Sequence, residues 1–128
     1  MACRWCANRK PDSAFRGLLR RYKRDAKRRG LSFDLTETQF RSLVLRPCFY
    51  CGAAPSQKGA RKFREAPFIY NGIDRVDNGE GYGIENVVPC CGVCNYLKKN
   101  VTVAMARKIV EFINASVAQR SELSALNR

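Results

Sequence analysis

The sequence contains no histidine. That removes imidazole both as a metal ligand and as a general base, so zinc in this chain would have to rest on thiolates alone. Acidic residues are scarce as well: 11 Asp and Glu stand against 24 Lys and Arg, a net charge of +13 over 128 residues. That balance points to a polyanionic partner, meaning DNA, RNA or an anionic membrane. No apolar run approaches the roughly 20 residues of a membrane span. The opening Met-Ala-Cys-Arg-Trp-Cys is not followed by the apolar stretch of a secretion signal. The expectation is therefore a nucleic-acid partner and no membrane. The setting expected is the cytoplasm or another reducing intracellular compartment, such as a bacterial or phage-infected cell, and not secretion. There is no internal repeat and no low-complexity segment. The length suits one domain, and 45% hydrophobic residues supply one modest core. A domain of this size buries only about two-thirds of its unfolded surface, so a further staple would help it.

Cysteine is what the chain has in excess. Seven cysteines, an odd number with no secretion signal, argue against a disulfide framework. They fall in pairs. Cys48-x2-Cys51 and Cys91-x2-Cys94 are two knuckles separated by 39 residues, with Gly52 and Gly92 easing the turns. Four thiolates at about 2.3 Å close a tetrahedron round zinc and leave no open position, which marks a structural site. Such a site supplies on the order of 10 kcal/mol of folding free energy. Cys90 competes with Cys91 for the third place, and the x2 spacing to Cys94 favours Cys91. Cys3-x2-Cys6 is a third knuckle with no evident second pair. Either another chain completes it or its thiols are free.

The chain divides into a knuckle segment over 1–11, two helical elements over 12–46, a cysteine-bound core with a C-terminal helix over 47–118, and a tail over 119–128. Asp12 or Ser13 can cap a first helix that runs to about Arg29 and stops at Gly30. Phe15, Leu18, Leu19, Tyr22 and Ala26 form its buried stripe. Its other face is almost wholly basic, and Arg20, Arg24, Lys27 and Arg28 are the expected phosphate contacts. Leu31–Leu35 reads as extended. Thr36 and Gln39 form a capping box, with Leu35 and Phe40 as a hydrophobic staple, before a short helix to about Val44. Residues 53–66 read as a polar loop whose Lys58, Arg61, Lys62 and Arg64 form a second backbone-contacting group. Phe68–Val76 is a strand candidate, Asp77-Asn78-Gly79 a turn, and Asn86–Pro89 a second strand. A helix over Cys91–Lys98 follows, with Lys98 as a further nucleic-acid contact. Thr102 caps a last helix to about Val117, with Met105, Ile109, Phe112 and Ile113 facing inward.

The stretch from Asn71 to Asn100 carries Asp74-Arg75, Glu80-Gly-Tyr82, Asn86 and Cys91-x2-Cys94-Asn95-x-x-Lys98. This combination resembles the ββα-metal core of the HNH, or His-Me finger, endonucleases, in the Asp-Arg branch found in phage and bacterial HNH proteins and in a restriction enzyme. With Cys48-x2-Cys51 and a looser likeness over Gly30–Phe40, the resemblance covers about two-thirds of the chain. It implies a small zinc-stapled α+β fold in which a ββα core is flanked by helices. It implies that Asp74 and Asn95 hold a catalytic magnesium or manganese ion, that Asn86 braces the loop, and that Arg75 takes the place of the usual histidine base. Arginine keeps its proton at neutral pH, so Arg75 is suited to gripping phosphate and not to accepting a proton. Tyr50 and Tyr82 are the nearby tyrosines, each equally readable as packing. The activity implied is hydrolysis of a DNA phosphodiester, with DNA ahead of RNA as the partner and homodimerisation carried over as an option. The competing reading keeps the fold without the activity, as a decayed HNH module that binds DNA or structured RNA within a larger assembly.

Overall fold

The computed structural model describes residues 12–59 and 68–128. The Cys3-x2-Cys6 knuckle and the basic residues Arg61, Lys62 and Arg64 lie outside them. The chain divides into two compact units between Asn95 and Tyr96.

In the first unit, helix α1 spans Ser13–Arg28 and buries Phe15, Leu18, Leu19 and Ala26 along one stripe. Its C-terminus is closed by Gly30 at φ +68°. The Gly30 N–H reaches the Lys27 carbonyl at 3.1 Å and the Leu31 N–H reaches Ala26 at 2.9 Å, the two bonds of a Schellman closure. The N-terminus departs from expectation. Asp12 stands at the cap position with φ 77° and makes no side-chain cap bond. Its carboxylate pairs instead with Arg41 at 3.1 Å, which ties α1 to the next helix.

Helix α2 spans Glu37–Val44. Thr36 Oγ1 accepts from the Gln39 N–H at 3.1 Å, and the Thr36 N–H donates to Gln39 Oε1 at 2.9 Å. Two otherwise orphaned donors are thereby satisfied reciprocally. Leu35 and Phe40 both enter the core, which gathers Phe15, Leu18, Leu19, Leu43, Val44, Tyr70, Ile73, Tyr82 and Val87 as well. Aromatic rings dominate it: Tyr22 meets Phe40 edge-on at 5.2 Å, and Phe15 meets Phe68 at 5.5 Å. Each such pair adds about 0.5–1.5 kcal/mol beyond area burial. Residues 31–35 contribute a single parallel bridge, Phe33 to Tyr82.

The strand expected over Phe68–Val76 is two strands. β2 (Ile69–Tyr70) pairs antiparallel with β1 (Gln57–Lys58), whereas β3 (Gly72–Arg75) pairs with β4 (Val87–Cys90). The break falls at Asn71, which is fully buried. Its N–H bonds to the Val44 carbonyl at 2.8 Å, and its side-chain amide donates to the carbonyls of Arg46 and Ala53 at 3.0 and 3.1 Å. One residue thus takes the chain out of the first ladder and into the second. In β3–β4, Ile73 faces Pro89, Asp74 faces Val88, and Arg75 faces Val87. Pro89 is tolerated because this sheet has only two strands and a missing donor can lie on an open edge.

Helix α3 spans Gly92–Asn100 and starts directly behind Cys91. Helix α4 spans Val103–Leu126 and is capped by Thr102, which accepts from the Met105 N–H at 3.1 Å. It runs nine residues beyond Val117, through most of the stretch read as a tail. Met105, Ile109, Phe112 and Ile113 were expected to face inward and are instead exposed, and no residue of this helix is buried.

A four-thiolate cluster beside a braced loop

The first knuckle is shaped by its backbone. Gly52, at φ +75°, lets its own N–H reach the Cys48 carbonyl at 2.8 Å, and the Cys48 N–H closes on Ala53 at 2.8 Å. The Phe49 N–H bonds to the Pro89 carbonyl at 2.9 Å. That bond docks the knuckle on β4, whose end delivers Cys91. The sulfur atoms of Cys48, Cys51, Cys91 and Cys94 all lie within 4.8 Å of one another. Cys51 and Cys91 Sγ are 3.7 Å apart. Four thiolates about 2.3 Å from a common tetrahedral centre would be separated by about 3.8 Å, so the cluster is able to hold a metal ion such as zinc.

The four thiols also act on one another's ionisation. Burial opposes ionisation of Cys48, but backbone N–H groups of Cys91, Cys51 and Tyr50 outweigh it and pull its pKa below the ordinary thiol value. Cys94 moves the other way, raised first by burial and then by the neighbouring thiols of Cys91, Cys51 and Cys48. A second negative charge among these sulfurs is thus resisted when no cation is there to share it. Cys90 stands apart. It is buried, its thiol is pushed up to about 12 by burial and then by the charges of Cys48, Asp74 and Cys91, and it donates to the Cys91 carbonyl at 3.4 Å. The choice between Cys90 and Cys91 falls to Cys91 because Cys90 lies outside the sulfur cluster.

Asp74 and Arg75 are neighbours on β3, so their side chains leave opposite faces of the strand. Asp74 is 8% exposed and accepts a hydrogen bond from the phenol of Tyr50, Oη to Oδ2 2.7 Å. Tyr50 lies inside the first cysteine knuckle, and nothing in the linear pattern distinguishes this role from packing. Arg75 is also buried. Its Nη1 donates to the carbonyls of Asn78 at 2.9 Å and Glu80 at 2.6 Å, and its guanidinium lies over the Tyr82 ring at 5.3 Å. Asn86 closes the same loop from the other side. Its Oδ1 accepts from the Asp77 N–H at 2.9 Å, and its Nδ2 donates to the carbonyls of Asp77 and Gly81, both at 3.0 Å. Residues 76–82 are therefore held by an arginine and an asparagine at once. Asn95 follows Cys94 on α3, its backbone N–H bonded to the Cys91 carbonyl at 3.0 Å, and its side chain is exposed.

The basic face of α1 is exposed throughout. Arg16, Arg20, Lys23 and Lys27 recur at spacings of four, three and four, one exposed stripe about a third of a turn round the helix from the buried one. Arg24 and Arg28 flank it and share Asp25 at 3.4 and 3.3 Å, exposed pairs that contribute little stability. Lys58 on β1 and Lys98 on α3 are also exposed. Among the described residues, no helix is long and apolar enough to cross a membrane.

A two-stranded ladder leads into a helix, with cysteines at the junction, in a small α+β fold. The solved structure of the rare-cutting HNH restriction endonuclease PacI, described as perturbing DNA, matches it over 92% of this chain and 95% of its own. The TM-score is 0.52 and the identity 22%. The likeness at that identity is one of fold. An uncharacterised protein of Acanthamoeba polyphaga mimivirus is 40% identical over 79 residues, 62% of this chain, which spans about 13% of that protein's length. No family model matches the sequence.

Proposed function

We propose that this chain is a divalent-metal-dependent endonuclease of the HNH type that hydrolyses DNA phosphodiester bonds, with zinc as the ion of the four-cysteine cluster. The observation that carries the reading is Asp74. A carboxylate is kept almost entirely out of water on the strand next to the thiolate cluster, in a chain otherwise short of acids and rich in phosphate-binding residues. A carboxylate so placed is a hard oxygen ligand of the kind a divalent cation takes beside phosphate. Asp74 and Asn95 together offer the oxygen donors that suit magnesium or manganese, with phosphate and solvent completing the shell. An ion bound there supplies Lewis-acid charge at the phosphodiester and acidifies water. In this reading Arg75 keeps the loop in place through Nη1 and grips the scissile phosphate, while Asn86 fixes the same loop. The α1 face with Arg20, Arg24, Lys27 and Arg28 tracks the backbone, joined by Lys58, Arg61, Lys62, Arg64 and Lys98. A homodimer on a two-fold target belongs to the same proposal.

A second reading is favoured by the absence of histidine and by the commitment of Arg75 Nη1 to loop carbonyls. In that reading the fold holds DNA or structured RNA without cutting it. Nicking of supercoiled plasmid in magnesium or manganese separates the two. Cleavage that disappears in Asp74→Ala supports the nuclease. Tight, salt-sensitive binding with no cleavage of DNA or RNA in either ion supports the binding module.

A further inference from the structure

A side-chain hydrogen bond from Tyr50 to Asp74 joins the first cysteine knuckle to the candidate site. Tyr50 stands between two of the four clustered cysteines, Cys48 and Cys51, so its backbone is part of the turn that aims their sulfurs. That turn is anchored at Phe49 N to Pro89 O and at Cys48 N to Ala53 O. The Tyr50 ring is itself braced edge-on against Phe49, centroids 5.4 Å apart at 86°. From this base the phenol donates to Asp74 Oδ2 at 2.7 Å, a well-formed O–H···O bond.

We infer that Tyr50 is a positioning residue through which the cysteine cluster sets the orientation of the Asp74 carboxylate for a divalent cation. The inference deepens the nuclease reading and rests on it. A carboxylate on a short side chain can rotate about its terminal bond, and a donor on one oxygen fixes the direction of both. Groups that hold a ligand in this way typically change metal affinity by about 10–100-fold when removed. The structural cluster and the catalytic carboxylate are then one mechanical unit: a thiolate ion holds the turn, the turn holds the phenol, and the phenol holds Asp74.

The test compares zinc-loaded wild type, Tyr50→Phe and Asp74→Asn. Manganese affinity is measured by electron paramagnetic resonance, alongside zinc content and the manganese dependence of plasmid nicking. Tyr50→Phe keeps the ring against Phe49, so bound zinc and the thermal midpoint are expected to stay at the wild-type level. The expected result is manganese affinity about tenfold or more weaker, with nicking largely restored at saturating manganese. A Tyr50→Gln variant, which keeps a donor at the same turn, is expected to fall between the two. Manganese binding that is lost in Asp74→Asn but unchanged or tighter in Tyr50→Phe overturns the inference and leaves the nuclease reading standing. A wild type that binds no manganese overturns both. Loss of zinc in Tyr50→Phe also overturns the inference, since Tyr50 would then only be a part of the knuckle.

Discussion

The phenol oxygen of Tyr22 accepts a hydrogen bond from the backbone N–H of Ile73 at 3.1 Å. The basic helix thereby grips β3 one residue before Asp74, and it does so with a group that titrates. Burial first of all raises the Tyr22 pKa from 10.0 to about 12, while the bond from Ile73 acts in the opposite direction. Because the folded value lies above the unfolded one, the stability linked to this tyrosine is complete below pH 10 and is lost as the pH climbs towards 12. Two units correspond to about 2–3 kcal/mol. Urea midpoints between pH 9 and 12 are expected to fall more steeply for wild type than for Tyr22→Phe, which has nothing to ionise there. Parallel curves would mean that the phenol is hydrated in the folded state.

Gly72 is next to that contact. A Cβ added to it would lie 2.9 Å from Tyr22 Oη and 3.3 Å from the Cys90 carbonyl. The hydroxyl is held by Ile73 and the carbonyl belongs to β4, so neither yields easily. Gly72→Ala is expected to lose about 1–3 kcal/mol by overpacking, measured by denaturant unfolding. Combination with Tyr22→Phe should recover part of it, because the closest atom is then gone.

One zinc ion per chain is expected in the four-cysteine cluster, by elemental analysis of purified protein. Cys51→Ser and Cys91→Ser should lower zinc affinity and the thermal midpoint together. Strong chelators should unfold the first unit, since the ion joins knuckles 39 residues apart. Cys90→Ala is expected to keep its zinc, as that thiol lies outside the cluster. Failure of Cys90→Ala to bind zinc while Cys91→Ser does so would reverse the assignment.

Binding to duplex DNA is expected to weaken steeply with salt. Each phosphate contact removed should reduce the slope of log K against log salt by about 0.9. Arg20→Ala with Lys27→Ala, two exposed positions on one stripe of α1, should therefore flatten it by about 2. The effect should be the same on unrelated sequences, because backbone contacts carry no base information. An unchanged slope would remove α1 from the interface.

Asn86→Ala deletes three hydrogen bonds to Asp77 and Gly81. The backbone N–H of Asp77 loses its partner but lies on an exposed loop where water can replace it, so the cost is about 0.5–1.5 kcal/mol. Hydrogen exchange at Asp77 is expected to quicken ahead of that in α1. Nicking by this variant should drop even where zinc is retained, if the loop has to hold its shape for cleavage.

Much of the architecture could be read locally. The Schellman closure at Gly30 and the capping box at Thr36 are satisfied within a few residues, so their sequence signatures suffice. The cysteine knuckles are similarly compact, and their spacing already named the four sulfurs that cluster. Reading failed where an outcome depended on a distant partner. Asp12 offered a cap, but Arg41 from another helix took its carboxylate. Phe68–Val76 read as one strand because β propensity runs through it, and only the buried carbonyls of Arg46 and Ala53 explain the break at Asn71. On α4, helical spacing identified an apolar stripe at Met105, Ile109, Phe112 and Ile113, but periodicity says nothing about what covers such a stripe.

Composition and spacing by themselves determined a basic, histidine-free chain with two cysteine knuckles and with Asp74, Arg75, Asn86 and Asn95 at fixed separations. Those properties are covalent or short-range. The tertiary structure decided which partners the side chains keep. It set Tyr50 on Asp74, spent Arg75 Nη1 on two loop carbonyls, and laid Tyr22 against β3. Each of these bonds joins residues whose approach depends on the folding of everything between them or on which face of a strand they leave, and a linear pattern does not encode that.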